Sequence, residues 1–369
     1  MRIVVAGGGT GGHLYPGLAI ARALVRLSPG VRPFFVGARR GIERAVLPRT
    51  EFPHDLLDLH PLYRSRPWKN GRTAAGAARA WRRIGALART ERIRLVLGTG
   101  GYASGLMLAY ATTHGIPMVL QEQNSFPGLT MRAFSRFARE VYLGFPEAAE
   151  LLKAGRNTAV VDTGNPIDPP PDPRPDRTAA RASWDLPAQG GRVMLVVGGS
   201  QGARAVNDAV AAWIERGLPD DLSVIWATGR TNFDALRRHE SDRVRVRAYL
   251  SPIADAYAAT DIALGRAGAM TTAELCAWGI PSVLIPLPTA AADHQTANAR
   301  ALAEAGAAEW IPQSHLTVER LDAVVRRLLD DPARLRALAV AARRRGRPDA
   351  ADTIARRVLD LVHRSGARS

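Results

Sequence analysis

The chain has one cysteine, Cys276, and two lysines, Lys69 and Lys153. A single thiol excludes an intrachain disulfide and a cysteine-rich zinc site. Aromatic residues make up only 6% of 369 positions, too few to interleave with the basic side chains as a nucleic-acid stacking surface requires. No window approaches the ~18 uninterrupted apolar residues of a spanning helix. The opening MRIVVAGGG does not read as a signal peptide, because its apolar run breaks into glycines after Ala6. Asp-x-Asp and metal-type His/Cys/Glu spacings are missing too. The expectation is a cytoplasmic protein that needs no metal and binds no nucleic acid.

What is present is arginine, glycine and a repeated pattern. The formal net charge is +16, carried almost wholly by arginine, and it favours polyanionic partners such as nucleotide phosphates or an anionic membrane surface. The length predicts two domains, and a hydrophobic fraction of 46% supplies cores for both. Short apolar runs alternate with helical-period segments, the pattern of βαβ units and parallel sheets. RIVVA, RPFFVG, HDLLDL, IRLVLG, PMVLQ and EVYLG are the strand candidates of the first half. RVMLVVGG, LSVIWATG, RVRVRAYL, DIALG and PSVLIP are those of the second. Between them GNPIDPPPDPRPDR carries six prolines, which suit neither helix interior nor central strand. The expected division is a first Rossmann-like domain at 1–163, a linker at 164–177 and a second domain at 178–347. The helical segment 348–369 is expected to pack back on the first.

The two halves echo each other. LVLGTGGYASG and HGIPMVLQ in the first correspond to IALGRAGAMTT and WGIPSVLI in the second, and VVAGGGTGGH corresponds to LVVGGSQGAR. Each half thus has its own glycine loop between a strand and a helix, and a ligand site in a cleft between domains is the default expectation. In residues 7–12 five of six positions are glycine. Such a loop lets backbone N–H groups approach an anion at the positive end of a helix. Gly7, Gly9 and Gly12 also satisfy G-x-G-x-x-G, but the second strand runs on into Arg39 and Arg40 where an NAD site wants an acid, so only an NADP reading survives. GGSQGAR around Ser200 is the second anion loop, with Ser200 able to donate or to cap. Glu274, three residues after Thr271, fits both a capping box and a carboxylate that accepts the two hydroxyls of a ribose. Asp293, His294, Gln295 and Asn298 either read sugar hydroxyls or cap a helix. QEQNSFPG, residues 121–128, ends an apolar strand with polar groups, the usual place of an α/β ligand loop. An imidazole, which ordinarily titrates near ~6.5, suits the removal of a hydroxyl proton at neutral pH. His13 is the first choice of base and Glu122 the second.

GGTGGHLYPGLA, GTGGYASG, QEQN, GNPI, GGSQGAR with VN, AGAMTTAE, DHQTANA and the late PDAA together resemble the MurG family, the bacterial glycosyltransferases that convert lipid I to lipid II. The resemblance runs in order along essentially the whole chain. It implies an α/β protein of GT-B fold, two Rossmann-like domains with parallel sheets facing a central cleft. It implies inverting transfer of N-acetylglucosamine from UDP-GlcNAc to the muramyl 4-hydroxyl of lipid I, with no nicotinamide or other cofactor. By that resemblance Ser200 meets the diphosphate, Leu250 the uracil region, and Ala269, Met270, Thr271, Thr272 and Ala273 the phosphate end of a helix. Glu274 would meet the ribose and Gln295 the sugar hydroxyls. Thr10, Gly11, Gly12 and Asn124 would approach the same sugar from the first domain, with Tyr102 and Asn207 on the acceptor side. Two positions depart from the family pattern: Asp168 stands where Arg often follows GNPI, and Gln121 where the QEQN loop often begins with His.

A lipid-anchored acceptor calls for a membrane contact. Residues 64–92 carry eight arginines and Lys69 against one acid, Glu91. Trp81, Ile84 and Ala88 share one helical face there. The expectation is that this Arg/Trp segment docks on an anionic inner-leaflet surface, its stripe toward the lipid. Cell-wall synthesis or division proteins are further expected partners.

Overall fold

The computed structural model describes residues 1–59, 70–187, 190–199 and 202–366, with side chains from 76 onward in the segment that begins at 70 and up to 364 in the last. Two compact units emerge. The first takes Met1–Asp168 and Asp349–Ser369, the second Pro169–Pro348.

The first unit is built on a parallel sheet of seven strands: β1 (Arg2–Gly7), β2 (Arg32–Ala38), β3 (His54–Leu57), β4 (Ile93–Gly100), β5 (Met118–Glu122), β6 (Glu140–Leu143) and β7 (Ala159–Asp162). Their spatial order is β3-β2-β1-β4-β5-β6-β7. Both faces of the sheet are covered, which is why RIVVA reads as an unbroken apolar run rather than an alternation. Ile3 and Val5 point into one cluster with Leu14, Leu18 and Leu24 of the helix Gly11–Leu27. Val4 and Ala6 point into the other, with Met107 and Leu108 of the helix Tyr102–Thr113. The last helix, Ala350–Gly366, adds Ile354, Ala355 and Val358 to the first cluster. Arg357 donates to Glu140 at 2.6 Å, and Arg26 pairs with Asp352.

The second unit repeats the plan with six parallel strands: β8 (Arg192–Val197), β9 (Leu222–Ala227), β10 (Val244–Arg247), β11 (Ile262–Gly265), β12 (Ser282–Leu284) and β13 (Ala308–Trp310). Their order is β10-β9-β8-β11-β12-β13, the doubly wound arrangement of nucleotide-binding folds. In each sheet the strand order reverses beside the strand that carries the first glycine loop. Loops at the carboxyl ends of the strands flanking that switch point are where such folds bind ligands.

The helix Asn70–Glu91 corrects one expectation. Its apolar stripe turns inward: Ile84 is 1% exposed, and Trp81, Leu87 and Ala88 pack on the core beneath. The Trp81 ring meets Tyr110 edge-on at 5.1 Å. Burying such side chains contributes roughly 1.5–3 kcal/mol each, far more than a surface contact returns. On the outer face Arg83 pairs with Asp55 at 2.6 Å and Arg79 with Asp58 at 3.3 Å. The described part of this segment therefore offers a lipid surface no tryptophan stripe and less charge than the sequence suggests. Arg64, Arg66, Trp68 and Lys69 lie outside the described residues.

Candidate active site

In the first unit the loops after β1 and β4 lie side by side, Gly8 N–H donating to Gly100 O at 3.4 Å. Gly100 and Gly101 have φ of +97° and +77°, values that suit glycine. Space demands glycine there as well. A methyl on Gly101 would stand 2.1 Å from Gly8 O, and one on Gly100 would stand 2.8 Å from Cδ2 of His13. The His13 ring thus rests on a bed of bare backbone. It is aimed by a hydrogen bond between its Nδ1 and the Thr10 hydroxyl at 3.0 Å, while Thr99 donates to the His13 carbonyl at 2.8 Å. A neutral imidazole whose Nδ1–H donates to Thr10 carries its lone pair on Nε2. Tyr102 closes the other side, its ring 3.0 Å from where a Gly9 methyl would sit. Thr10, Gly11, Gly12, His13 and Tyr102 are therefore brought together.

Glu122, at the end of β5, has a different task from the one expected of a base. It is 2% exposed. One carboxylate oxygen accepts from the Asn124 backbone at 2.9 Å and its amide at 3.3 Å, and the other accepts from Gly128 N–H at 2.9 Å. Burial pushes its carboxyl above the usual range, and these donors pull partly back. The group staples the loop that holds Asn124. Below it Gln121, fully buried, donates to Asn165 at 3.1 Å, and Asn165 donates to Gln123 O at 2.9 Å. Gln121 is thus a member of an amide network with Gln123 and Asn165. Asp168 is exposed at the end of the unit.

In the second unit the helix Ala269–Trp278 starts directly after β11, with Gly268 as its N-cap. That register removes the capping-box reading, since Thr271 is already the third helical residue. Glu274 instead accepts a hydrogen bond from Tyr257 Oη at 2.6 Å. Tyr257 is 3% exposed, and burial together with the Glu274 charge raises its phenol well above the ordinary value, so it remains a donor. Ala269, Met270, Thr271, Thr272 and Ala273 form the first turns, and Thr272 Oγ1 returns to Gly268 O at 3.1 Å. Gln295 sits at the start of the helix His294–Glu304 and accepts from Leu287 N–H at 3.0 Å. Just before it Ala292 and Asp293 adopt φ of +53° and +54°, strain of the kind that clusters at functional loops. Leu250 is buried in the core beside Tyr257. Asn207 is also buried, donating to Thr228 O at 2.8 Å and accepting from Trp226 at 3.0 Å. It ties a helix to β9. Ser200 lies outside the described residues.

Three further residues support these loops although sequence reasoning passed over them. Arg266 is 9% exposed and donates to the carbonyls of Ile285 and Pro286, joining the ends of β11 and β12. Tyr257 orients Glu274. Glu43 is 0% exposed, accepts from Ala38 N–H at 3.0 Å, and fills the space left by Gly8, Gly37 and Gly41. In ARRGIER it reads as one more surface charge; the flanking Gly37 and Gly41 are the only hint. Among the described residues no cluster of three His, Cys, Asp or Glu side chains could hold a metal ion, and no helix is long and apolar enough to cross a membrane.

Residues 3–143 match the glycosyltransferase family 28 N-terminal domain, and residues 193–354 match the family 28 C-terminal domain. The chain is 41% identical to the UDP-N-acetylglucosamine--N-acetylmuramyl-(pentapeptide) pyrophosphoryl-undecaprenol N-acetylglucosamine transferase of Salinibacter ruber, over 98% of this chain and 97% of that one. It matches the crystal structure of Acinetobacter baumannii MurG with a TM-score of 0.78 at 28% identity, covering 98% and 99% of the two chains. A UDP-N-acetylglucosamine 2-epimerase matches with a TM-score of 0.64 at 15% identity, covering 99% and 96%, a likeness of fold alone.

Proposed function

Because this chain belongs to the MurG family, it transfers N-acetylglucosamine from UDP-GlcNAc to lipid I to give lipid II, and we propose the following division of labour among its residues. The second unit holds the donor. Glu274, fixed by Tyr257, accepts the ribose hydroxyls, and Leu250 adjoins the uracil. The N-terminus of the helix Ala269–Trp278 and the Ser200 loop take the diphosphate, and Gln295 takes the sugar hydroxyls. The first unit supplies Thr10, Gly11, Gly12 and Asn124 toward the sugar, Tyr102 toward the acceptor, and His13 as base.

In the reaction the muramyl 4-hydroxyl oxygen attacks the anomeric carbon, and the bond from that carbon to the diphosphate breaks with its electron pair leaving on UDP. The hydroxyl proton passes to Nε2 of His13, and the anomeric centre inverts. Backbone N–H groups at a helix start, already aimed, stabilise the charge that grows on UDP. No nicotinamide enters the scheme. The observation that carries this reading is the imidazole held by Thr10 over the glycine pair. Labelled UDP-GlcNAc tests it: label is expected in lipid only when a lipid I analogue is present. Release of free labelled sugar at the same rate without acceptor contradicts a transferase.

The acceptor is lipid-anchored, so we place the enzyme on the cytoplasmic face of the membrane, with the contact on the first unit. Leu129 and Phe137 are 55% and 46% exposed, and Arg136 lies over the Phe137 ring at 4.8 Å. Leu129 adjoins the glycine bed in sequence, since the next residue, Thr130, donates to Gly101 O at 3.3 Å. Basic residues near an anionic surface contribute ~1 kcal/mol each and exposed apolar groups add to that. Co-sedimentation is expected with anionic vesicles and not with neutral ones, and a Leu129→Ser/Phe137→Ser variant is expected to lose most of it. A variant that sediments like the wild type moves the contact elsewhere.

A further inference from the structure

At the amino ends of the second sheet's strands, opposite the donor loops, lies a cavity of about 300 Å³. It is bounded by Arg192 at the start of β8, Asp261 just before β11 and Pro281 just before β12. Five guanidinium groups line it, those of Arg174, Arg177, Arg192, Arg336 and Arg343, against the single carboxylate of Asp261. That carboxylate is already shared. It pairs with Arg177, with Arg181 at 2.7 Å and with Arg192 at 3.5 Å. Arg181 sits behind the wall, 3% exposed, and its guanidinium is pulled below the ordinary value by burial and by the charges of Arg177 and Arg192.

Two of these arginines lie against fixed neighbours. Arg174 donates to the carbonyls of Ala277 and Trp278 at 2.9 and 3.1 Å and lies 5.4 Å over the Trp278 ring. The stem of Arg343 crosses Gly279, where a methyl would come 2.3 Å from its Cγ. Neither Arg336 nor Arg343 is paired with a carboxylate among the described residues.

We propose that this cavity binds a phosphate-bearing anion, a phosphomonoester or diphosphate group, at a site separate from the donor's. Several like charges around one carboxylate repel each other, and a multivalent anion relieves that repulsion. Planar guanidinium forks suit bidentate contact with phosphate oxygens better than with a monovalent ion. The volume stands at the lower end of small-molecule sites, roughly 300–1,000 Å³. Trp278, Tyr257 and Leu335 contribute apolar surface to the wall.

The test uses the full chain without nucleotide; pyrophosphate that enters the donor loops binds wild type and variant alike, so the cavity's own binding is the difference between them. Inorganic pyrophosphate is titrated into the wild type and into an Arg336→Ser/Arg343→Ser variant, with sodium chloride at matched ionic strength as control. The wild type is expected to bind saturably, with Kd below about 1 mM, and its unfolding midpoint to rise. The variant is expected to bind at least roughly tenfold more weakly and to keep its basal transfer rate. Equal binding in both proteins, or none in the wild type, overturns the proposal. Sedimentation with phosphatidylglycerol vesicles separates the two sources of phosphate. Lost vesicle binding in the variant assigns the site to a lipid head group, and unchanged sedimentation assigns it to a soluble ligand.

Discussion

His13→Ala is expected to lower kcat by about 10²–10⁴-fold, the range of a lost general base, while the KM for UDP-GlcNAc stays within about twofold. The fold should survive the change. The hydrogen bond between the ring and Thr10 is worth about 0.5–1.5 kcal/mol. Its backbone contact with Thr99 is kept. His13→Gln sharpens the test, because an amide of similar reach keeps a partner for Thr10 and accepts no proton. Both variants are expected to fall together in kcat. Retention of activity within about threefold in either one makes the ring a structural wedge over Gly100 and Gly101. Glu122 then inherits nothing, since its carboxylate is sealed in its own loop and its removal would disturb Asn124 first.

Glu274→Gln is expected to raise the donor KM by roughly 10–100-fold, with a smaller change in kcat. A hydrogen bond to a charged group is worth about 1.5–3 kcal/mol and one between neutral groups about half that, so loss of the charge weakens both ribose contacts at once. Glutamine still offers an oxygen to Tyr257, so the unfolding midpoint should barely move. Glu274→Ala is the harsher change. It strands the buried Tyr257 hydroxyl, now bonded at 2.6 Å, and should cost about 1–3 kcal/mol of stability besides the donor affinity. If Glu274→Gln leaves the donor KM unaltered while Glu274→Ala lowers the midpoint, the carboxylate serves only to hold Tyr257.

Much of the fold is legible because strands covered on both faces write themselves as apolar runs. All six strand candidates of the first half correspond to β1–β6, and the five of the second half to β8–β12. β7 and β13 escape that reading for physical reasons. β7 is an edge strand with an exposed, mixed sequence, AVVD, and β13 has three residues. The glycine loops announce themselves by composition, and His13 by its position just after one. The orientation of a stripe is not written in its period. Trp81, Ile84 and Ala88 share a face in either case, and only the packing against Tyr110 decides that this face is core. Helix starts are similarly ambiguous. Thr271 and Glu274 have capping-box spacing, but the turn closes at Gly268, where the bare backbone follows β11 without a side-chain cap. Glu43 is the least legible of all, since its burial depends on three glycines at 8, 37 and 41 that meet only after folding.

On the proposed roles, donor binding and proton removal fall to different residues in different units. Calorimetric titration of UDP-GlcNAc into the His13→Ala and Glu274→Gln variants, each beside a measurement of turnover, tests that separation most directly. The predicted result is a wild-type Kd with lost turnover for the first, and a Kd raised by about tenfold or more with residual turnover at saturating donor for the second. A weakened Kd in the His13 variant together with an unchanged Kd in the Glu274 variant would contradict it.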